Sequence, residues 1–529
     1  RRVEPRNTPT VINAVFNAAN FLDGRANHFF NGVNPFGHQD VDARILVINQ
    51  ITGLLEEQAI LLDNSSLASQ AVGPPLSEFE MSFSGRTFAQ LGKKMLSLIP
   101  LGKQLVHPDD SVLGPLSNAS ITPGAKGLNT TYTDMIQAAF LPRYWNSGAV
   151  ARITISDEYY SAPDENDPDG YMLRNGDVTI IQNSAWRQTT VVDFTQMEAN
   201  FSLFFGLAVQ MYESTLVSDE TPFDRFVEGD PDALTDRQQQ GMNRFQSGGA
   251  NCIACHVGAE FTGASVSETL NPLEPAIIEV MAMADGGIAN YDQGFYNIGV
   301  RPTSEDIGRG GTDPFGNPLS FSRQLGIKVG ILPGSLTFDP GLVPDFGCFP
   351  APLEIPPTIC PPPGLVTPRF NVDGAFKVPG LRNVELTGPY FHNGGMLTLR
   401  QVMDFYVRGT DFHERNFDNL DPFLTGIGAL VNNIEGVEEL VDFLLALTDE
   451  RVRMEMAPFD HPQLFVPNGH SNQRRKHPKL SKRTPAPDVL LEIPAVGALG
   501  RAAEGLPPLK PFLADDLEGD ALANFHFQP

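Results

Sequence analysis

Five residues constrain this chain more than any others: Cys252-Ile253-Ala254-Cys255-His256. The spacing C-x-x-C-H places two thiols where each can bond one vinyl group of a porphyrin, with a histidine beside them to bind iron. The chain has 4 cysteines and 10 histidines in 529 residues. At those frequencies the pattern arises by chance in roughly one chain in two thousand. Two other readings of a CxxC pair are weaker. A thioredoxin-like dithiol wants a βαβ context. A structural zinc site wants two further Cys or His ligands at close spacing, and His256 is the one nearby histidine. The motif therefore predicts a covalent c-type haem with His256 as its proximal ligand.

Composition sets the surroundings. With 41% apolar residues the chain can build real cores, and its length allows two to four domains. No apolar run reaches 18 residues, so no membrane span is expected. A net charge of −26 argues against nucleic acid as a partner. It favours solubility and suits a basic partner such as a small electron-carrier protein. Haem c is attached outside the bacterial cytoplasm, so the expected location is periplasmic or extracellular, and a leader is expected to have been lost before Arg1. In such an oxidising compartment Cys348 and Cys360 are expected to form a disulfide, with two free thiols as the alternative.

The pattern along the chain predicts a helix over 235–247, capped by Thr235 or Asp236 and leading into the haem motif. A second helix is predicted after Thr398, with Leu399, Val402, Met403 and Tyr406 on one face, and a third over 435–448. The stretch 264–372 reads as loop. After about residue 470 the sequence turns basic and Pro-containing, SNQRRKHPKLSKRTPAP. This reads as a solvated linker or as a strap on the chain's own acidic surface. The sixth iron position decides what a haem does, and the candidates are Met396, Met403, Tyr406 and His392.

Four stretches resemble the bacterial di-haem cytochrome c peroxidase and MauG family: RNTPTVINAVFNAANFLDGRA (6–26), AVGPPLSEFEM (71–81), CIACHVGAEFTG (252–263) and GAFKVPGLRNVELTGPYFHNGGMLTLRQVMDFYVRG (374–409). Their order along the chain is that of the family, whereas 90–235 and the region after 450 lie largely outside the likeness. The resemblance implies a mainly α fold of two cytochrome c-like haem domains with long irregular loops and insertions. The corresponding division is 1–235 for an N-terminal peroxidatic-type domain, 236–470 for the C-terminal haem domain and 471–529 for a tail.

The resemblance also implies roles. Glu80 matches the distal-pocket glutamate, which can carry a proton between the two oxygens of a peroxide; by itself it would read as a surface carboxylate. Pro74 matches a proline packed over the same haem, and Gln70 a glutamine of that pocket. Tyr406 stands where peroxidases carry an axial methionine and MauG-like members a tyrosine, with Met403 as rival and a packed core aromatic as the plain alternative. Asn7, Thr387 and Pro389 match the positions that hold a calcium ion through oxygen ligands. Arg382 could neutralise a haem propionate or form an ordinary ion pair.

Two departures stand out. The family has two CxxCH motifs and this sequence has one; a first haem is expected from a segment preceding Arg1. The family's relay tryptophan in F-W-D-G-R is here Leu22, which cannot be oxidised. The resemblance implies a di-haem oxidoreductase that reduces hydrogen peroxide or uses it to oxidise a partner. The alternative is a one-haem electron-transfer or structural cytochrome on a degenerate scaffold. Oxygenation of a bulky organic substrate is a third reading, since the long insertions could shape another pocket.

Overall fold

A computed structural model describes residues 6–77, 80–82, 86–154, 177–182, 193–246, 250–270, 277–343, 369–424, 430, 433–470 and 488–512. The chain divides into two compact units. The larger comprises Arg1–Lys94, Phe140–Asp449 and Lys510–Pro529; the smaller comprises Met95–Ala139 and Glu450–Leu509. The boundary expected near residue 235 lies inside the larger unit, and residues assigned to a tail supply part of the smaller one. Cys348 and Cys360 lie outside the described residues, as does 471–487.

In the larger unit five helices matter for function: α1 (Ser66–Ala71), α2 (Phe201–Glu213), α3 (Asp236–Gln246), α4 (Leu399–Val407) and α5 (Ile434–Leu445). Local chemistry sets their starts. Thr235 accepts from Gln238 N while its own N–H donates to the Gln238 amide oxygen, a reciprocal cap on α3. The Thr398 hydroxyl accepts from Gln401 N to begin α4. Asn433 does the same for α5 through Gly436 N. All three helices fall within one residue of the sequence expectation at their N-termini.

Helices α3 and α5 pack closely enough to require glycine between them. A Cβ on Gly241 would lie 1.9 Å from the Glu439 carbonyl oxygen and 2.8 Å from Phe443 Cβ. Ion pairs from Arg237 to Glu435 and from Arg244 to Glu439 flank the seam. Below it sits the core formed by Phe245, Phe261, Leu381, Leu399, Leu440, Phe443 and Leu447, with the Phe245 and Phe443 rings 5.3 Å apart. Overpacking of this kind costs roughly 1–3 kcal/mol. Gly241→Ala is therefore expected to lower the unfolding temperature of the larger unit by several degrees, read by calorimetry; an unchanged melt would contradict the close approach.

The expectation of a mainly α chain is met only in part. Among the described residues twelve strands of two to seven residues form five small sheets. Ile45–Ile48 pairs antiparallel with Leu55–Gln58. Val150–Thr154 lies between Asp177–Ile181 and Asp193–Thr195. Ile288–Asp292 pairs antiparallel with Ile278–Ala282 and parallel with Arg369–Phe370. The two-residue strands Phe295–Tyr296 and Phe376–Lys377 pair antiparallel.

One buried arginine organises the start of the chain. Arg309 is 1% exposed. It donates to Asp292 at 2.8 Å and to the carbonyls of Asp23 and Gly24 at 3.2 and 3.1 Å. Its guanidinium lies over the rings of Phe295 and Phe321. Gly24 sits at φ +71°, and a Cβ there would be 2.5 Å from the Phe295 ring. The Leu22-Asp23-Gly24-Arg25 turn is thus pinned to the segment that carries Phe295–Tyr296.

The smaller unit holds an antiparallel hairpin, Leu464–His470 with Asp488–Ile493. Asp460 accepts from the backbone N and the hydroxyl of Ser111 at 2.6 Å each, and Glu455 pairs with Arg501 at 2.7 Å. No helix among the described residues is long and apolar enough to cross a membrane.

Candidate haem site

The motif folds as one tight turn. Asn251 takes the left-handed conformation at φ 50°, and Cys252–Ala254 form a single 3-10 turn. Cys255 N and His256 N both donate to the Cys252 carbonyl, at 3.2 and 3.0 Å. Backbone bonding therefore gathers both thiols and the imidazole into one loop of chain.

His256 Nδ1 lies 3.0 Å from the Phe261 carbonyl oxygen. A carbonyl only accepts, so Nδ1 carries the proton and Nε2 keeps its lone pair for a metal. Burial holds the imidazole below its ordinary pKa, opposed by the backbone bonds at Phe261 and Pro379, and so keeps it neutral.

The thiols carry a matching message. Burial pushes Cys252 up to about 12 and Cys255 well above its ordinary value. Both sulfurs stand in the same turn as the imidazole, where the two vinyl groups of a porphyrin would meet them. Among the described residues no group of three His, Cys, Asp or Glu closes on a common centre.

Cys252, Cys255 and His256 line a cavity of about 290 Å³ in the larger unit. Its walls are largely apolar, with Leu22, Phe245, Leu381, Leu440 and Leu444 among them. Two neighbouring thiols, an imidazole held through Nδ1 and an apolar chamber in one place fit a covalently attached haem.

Helix α4 presents Leu399, Met403 and Tyr406 to the same cavity, as the spacing i, i+4, i+7 requires. Tyr406 packs edge-on against Phe391 and Phe405 at 6.3 and 5.2 Å. Burial raises its phenol above the ordinary range, reinforced by the two thiols and Asp421. His392 also reaches the cavity, but its ring is stacked 3.7 Å from Phe376, and burial depresses it to about 4. Met396 is not among the cavity residues.

Asn7, Thr387 and Pro389 meet at the same cavity. The Asn7 amide donates to the Pro389 carbonyl at 2.5 Å, and Asn7 N donates to the His392 carbonyl at 2.6 Å. The Thr387 hydroxyl donates to the Val384 carbonyl at 3.1 Å. Arg382 lines the cavity too, but its guanidinium is held by Asp224 through two bonds of 2.7 and 2.8 Å, and by the Ala259 carbonyl at 2.8 Å. That is the ion-pair alternative for this residue, and the same arginine holds Asp224 below the usual carboxylate range against the effect of burial.

Gln70, Pro74 and Glu80 are placed apart from these residues and do not line the cavity. Gln70 sits in the last turn of α1, and its Oε1 is a buried acceptor without a hydrogen-bond partner among the described residues. Glu80 is exposed on a turn. Sequence reasoning missed the charged cavity residues Glu260, Arg301, Asp306, Lys377 and Asp421. Lys377 stands inside the recognised stretch 374–409, but nothing in the sequence signals that its ammonium is buried.

The turn, the imidazole held through Nδ1 and the apolar chamber fit a c-type haem. No family model matches the chain. Cytochrome-c peroxidase IdrP1 of Denitromonas iodatirespirans is 26% identical over 311 residues, covering 57% of this chain and 65% of the relative. Cytochrome-c peroxidase IdrP2 of the same organism is 26% identical over 224 residues, covering 41% of this chain and 43% of the relative. Methylamine utilization protein MauG of Methylorubrum extorquens is 24% identical over 216 residues, covering 41% and 38%. A solved diheme peroxidase, BthA of Burkholderia thailandensis, is 21% identical and covers 50% of this chain and 55% of that one, with a TM-score of 0.26. The chain thus spans between about two fifths and two thirds of the length of these curated relatives. It is similar in sequence to bacterial cytochrome c peroxidases and to MauG.

Proposed function

We propose that this protein is an exported haem c oxidoreductase that uses hydrogen peroxide, either reducing it with electrons from a small carrier protein or turning its oxidising power on a partner. The observation that carries this reading is the single turn holding Cys252, Cys255 and His256 on a cavity that Tyr406 also lines, in a chain related to cytochrome c peroxidases.

A haem bound there supplies one-electron chemistry. The protein's own groups set its terms. Cys252 and Cys255 fix the porphyrin by thioethers. His256 binds through Nε2, and its Nδ1–H bond to the Phe261 carbonyl fixes the ring's orientation and increases its basicity. Tyr406 would be the iron's other protein ligand, and its phenolate, a hard anionic donor, would favour ferric iron. Leu22 lines the cavity but cannot be oxidised, so charge leaving this site passes by direct tunnelling or through another aromatic such as Phe21.

Glu80 acts at a separate peroxidatic pocket, together with Gln70 and Pro74. Its carboxylate takes the proton from one peroxide oxygen and returns it to the other. Gln70 Oε1, without a hydrogen-bond partner among the described residues, supports a ligand site at the end of α1. Calcium is proposed at Asn7, Thr387 and Pro389. Asn7 and Pro389 already touch, and rotating the Asn7 amide would turn its oxygen to the side of the Pro389 carbonyl.

The leucine at position 22 suits a second reading, a one-haem electron-transfer protein. Haem stoichiometry and peroxide turnover of the native protein separate the two. The peroxidase reading predicts two haems per chain, peroxide consumption, and a Glu80→Gln variant slower by about 10²–10⁴-fold with its haem content intact. One haem and no reaction with peroxide would overturn it.

A further inference from the structure

Lys377 is a buried cation of the larger unit with no ion-pair partner among the described residues. It is 5% exposed and lines the same cavity as Cys252, Cys255 and His256. Its Nζ donates to a single neutral acceptor, Asn20 Oδ1, at 3.3 Å. Its backbone is fixed on both sides: Lys377 N donates to the Leu22 carbonyl at 2.7 Å, and the residue pairs with Phe295 in the short antiparallel ladder.

The other cavity cations are already matched. Arg382 is held by Asp224. Arg301 is held by Glu305 at 2.5–2.8 Å. Among the described residues no carboxylate pairs with Lys377, and burial pulls its ammonium down to about 7. A buried ammonium without a partner is strongly destabilising, and a lysine stem of this length is rarely placed in a protein interior without one.

Asn20 is also part of a fixed network. It is 1% exposed. It accepts from Asn17 Nδ2 at 3.1 Å and donates to Ser66 Oγ at 2.9 Å. Ser66 Oγ in turn donates to the Asn17 carbonyl at 2.8 Å. The acceptor that positions Nζ is thus held by the first turn of α1 and is not free to rotate away.

A haem brings two propionate carboxylates into its chamber, and each needs a cation or water. We propose that Lys377 is the counter-ion of one propionate of the haem attached at Cys252 and Cys255, held in place by Asn20. This rests on the haem assignment above and adds a positioning residue to it. The haem's charge balance, not a protein carboxylate, then accounts for the buried ammonium.

The test is spectroelectrochemical titration of the holoprotein, with haem content measured first. Lys377→Met and Lys377→Gln should keep the covalent haem and lower its midpoint potential, because a nearby positive charge disfavours the ferric state. Lys377→Arg should hold the wild-type potential. The methionine and glutamine variants also bracket folding: if the first fails to fold, the glutamine–arginine pair decides. Equal potentials in the wild-type, glutamine and arginine proteins would overturn the proposal while leaving the haem site standing. Wild-type protein without covalent haem would instead remove the reading on which it rests.

Discussion

Protein in which Cys252 and Cys255 are both replaced by alanine should emerge from a host that matures c-type cytochromes with no covalently bound haem at this site. Denaturing gels stained for haem peroxidase activity would lose the signal from the C-terminal site, because neither vinyl group has a thiol to receive it. The consequence for folding should be large. A cavity of about 290 Å³ left without its occupant, at about 24 cal/mol per Å³, costs roughly 7 kcal/mol. That approaches the whole stability of an ordinary domain, about 5–15 kcal/mol. The double variant is therefore expected to be poorly folded in its larger unit, with early protease cleavage and a broad, lowered thermal transition. A variant that stays native-like and stable would mean that the chamber is filled or closed without haem.

The second large effect concerns α4. Tyr406→Phe should change the absorption spectrum of the ferric C-terminal haem and raise its midpoint potential, because the anionic donor that favours ferric iron is gone. Burial raises the phenol above its ordinary range, and a ferric iron held beside it would offset this by favouring the ionised form. Reduction weakens that advantage, and the ferrous spectrum should differ less between wild type and variant than the ferric one. Met403→Leu is the control. Met403 lines the same cavity and packs on the hydrophobic core, and its replacement by a side chain of similar volume should leave both spectrum and potential in place. If the methionine variant moves the spectrum and the tyrosine variant does not, the ligand assignment is reversed.

Much of this was legible in the residues, and for local reasons. The haem turn is five consecutive residues, so its chemistry is complete in the sequence. Helices α3, α4 and α5 announce themselves through a capping threonine or asparagine and an apolar repeat of helical period. The cavity-facing set of α4 follows from that period alone. What was not legible is non-local. The smaller unit joins Met95–Ala139 to Glu450–Leu509 across more than 300 positions, and no pattern in either piece names the other. Strands of two residues, such as Phe376–Lys377, are too short to show alternation. Hence neither the five sheets nor the burial of Lys377 could be foreseen. Arg382 illustrates the same limit. Its charge was evident, but its partner Asp224 lies 158 residues away, and only the fold decides between a propionate and a carboxylate.

The most direct test is the mass of the proteolytic peptide containing Cys252–His256, taken from native protein. The account predicts one haem on that peptide, joined through both sulfurs, and no alkylation of either cysteine by a thiol reagent. A peptide of unmodified mass, with Cys252 and Cys255 both free to alkylate, would contradict it.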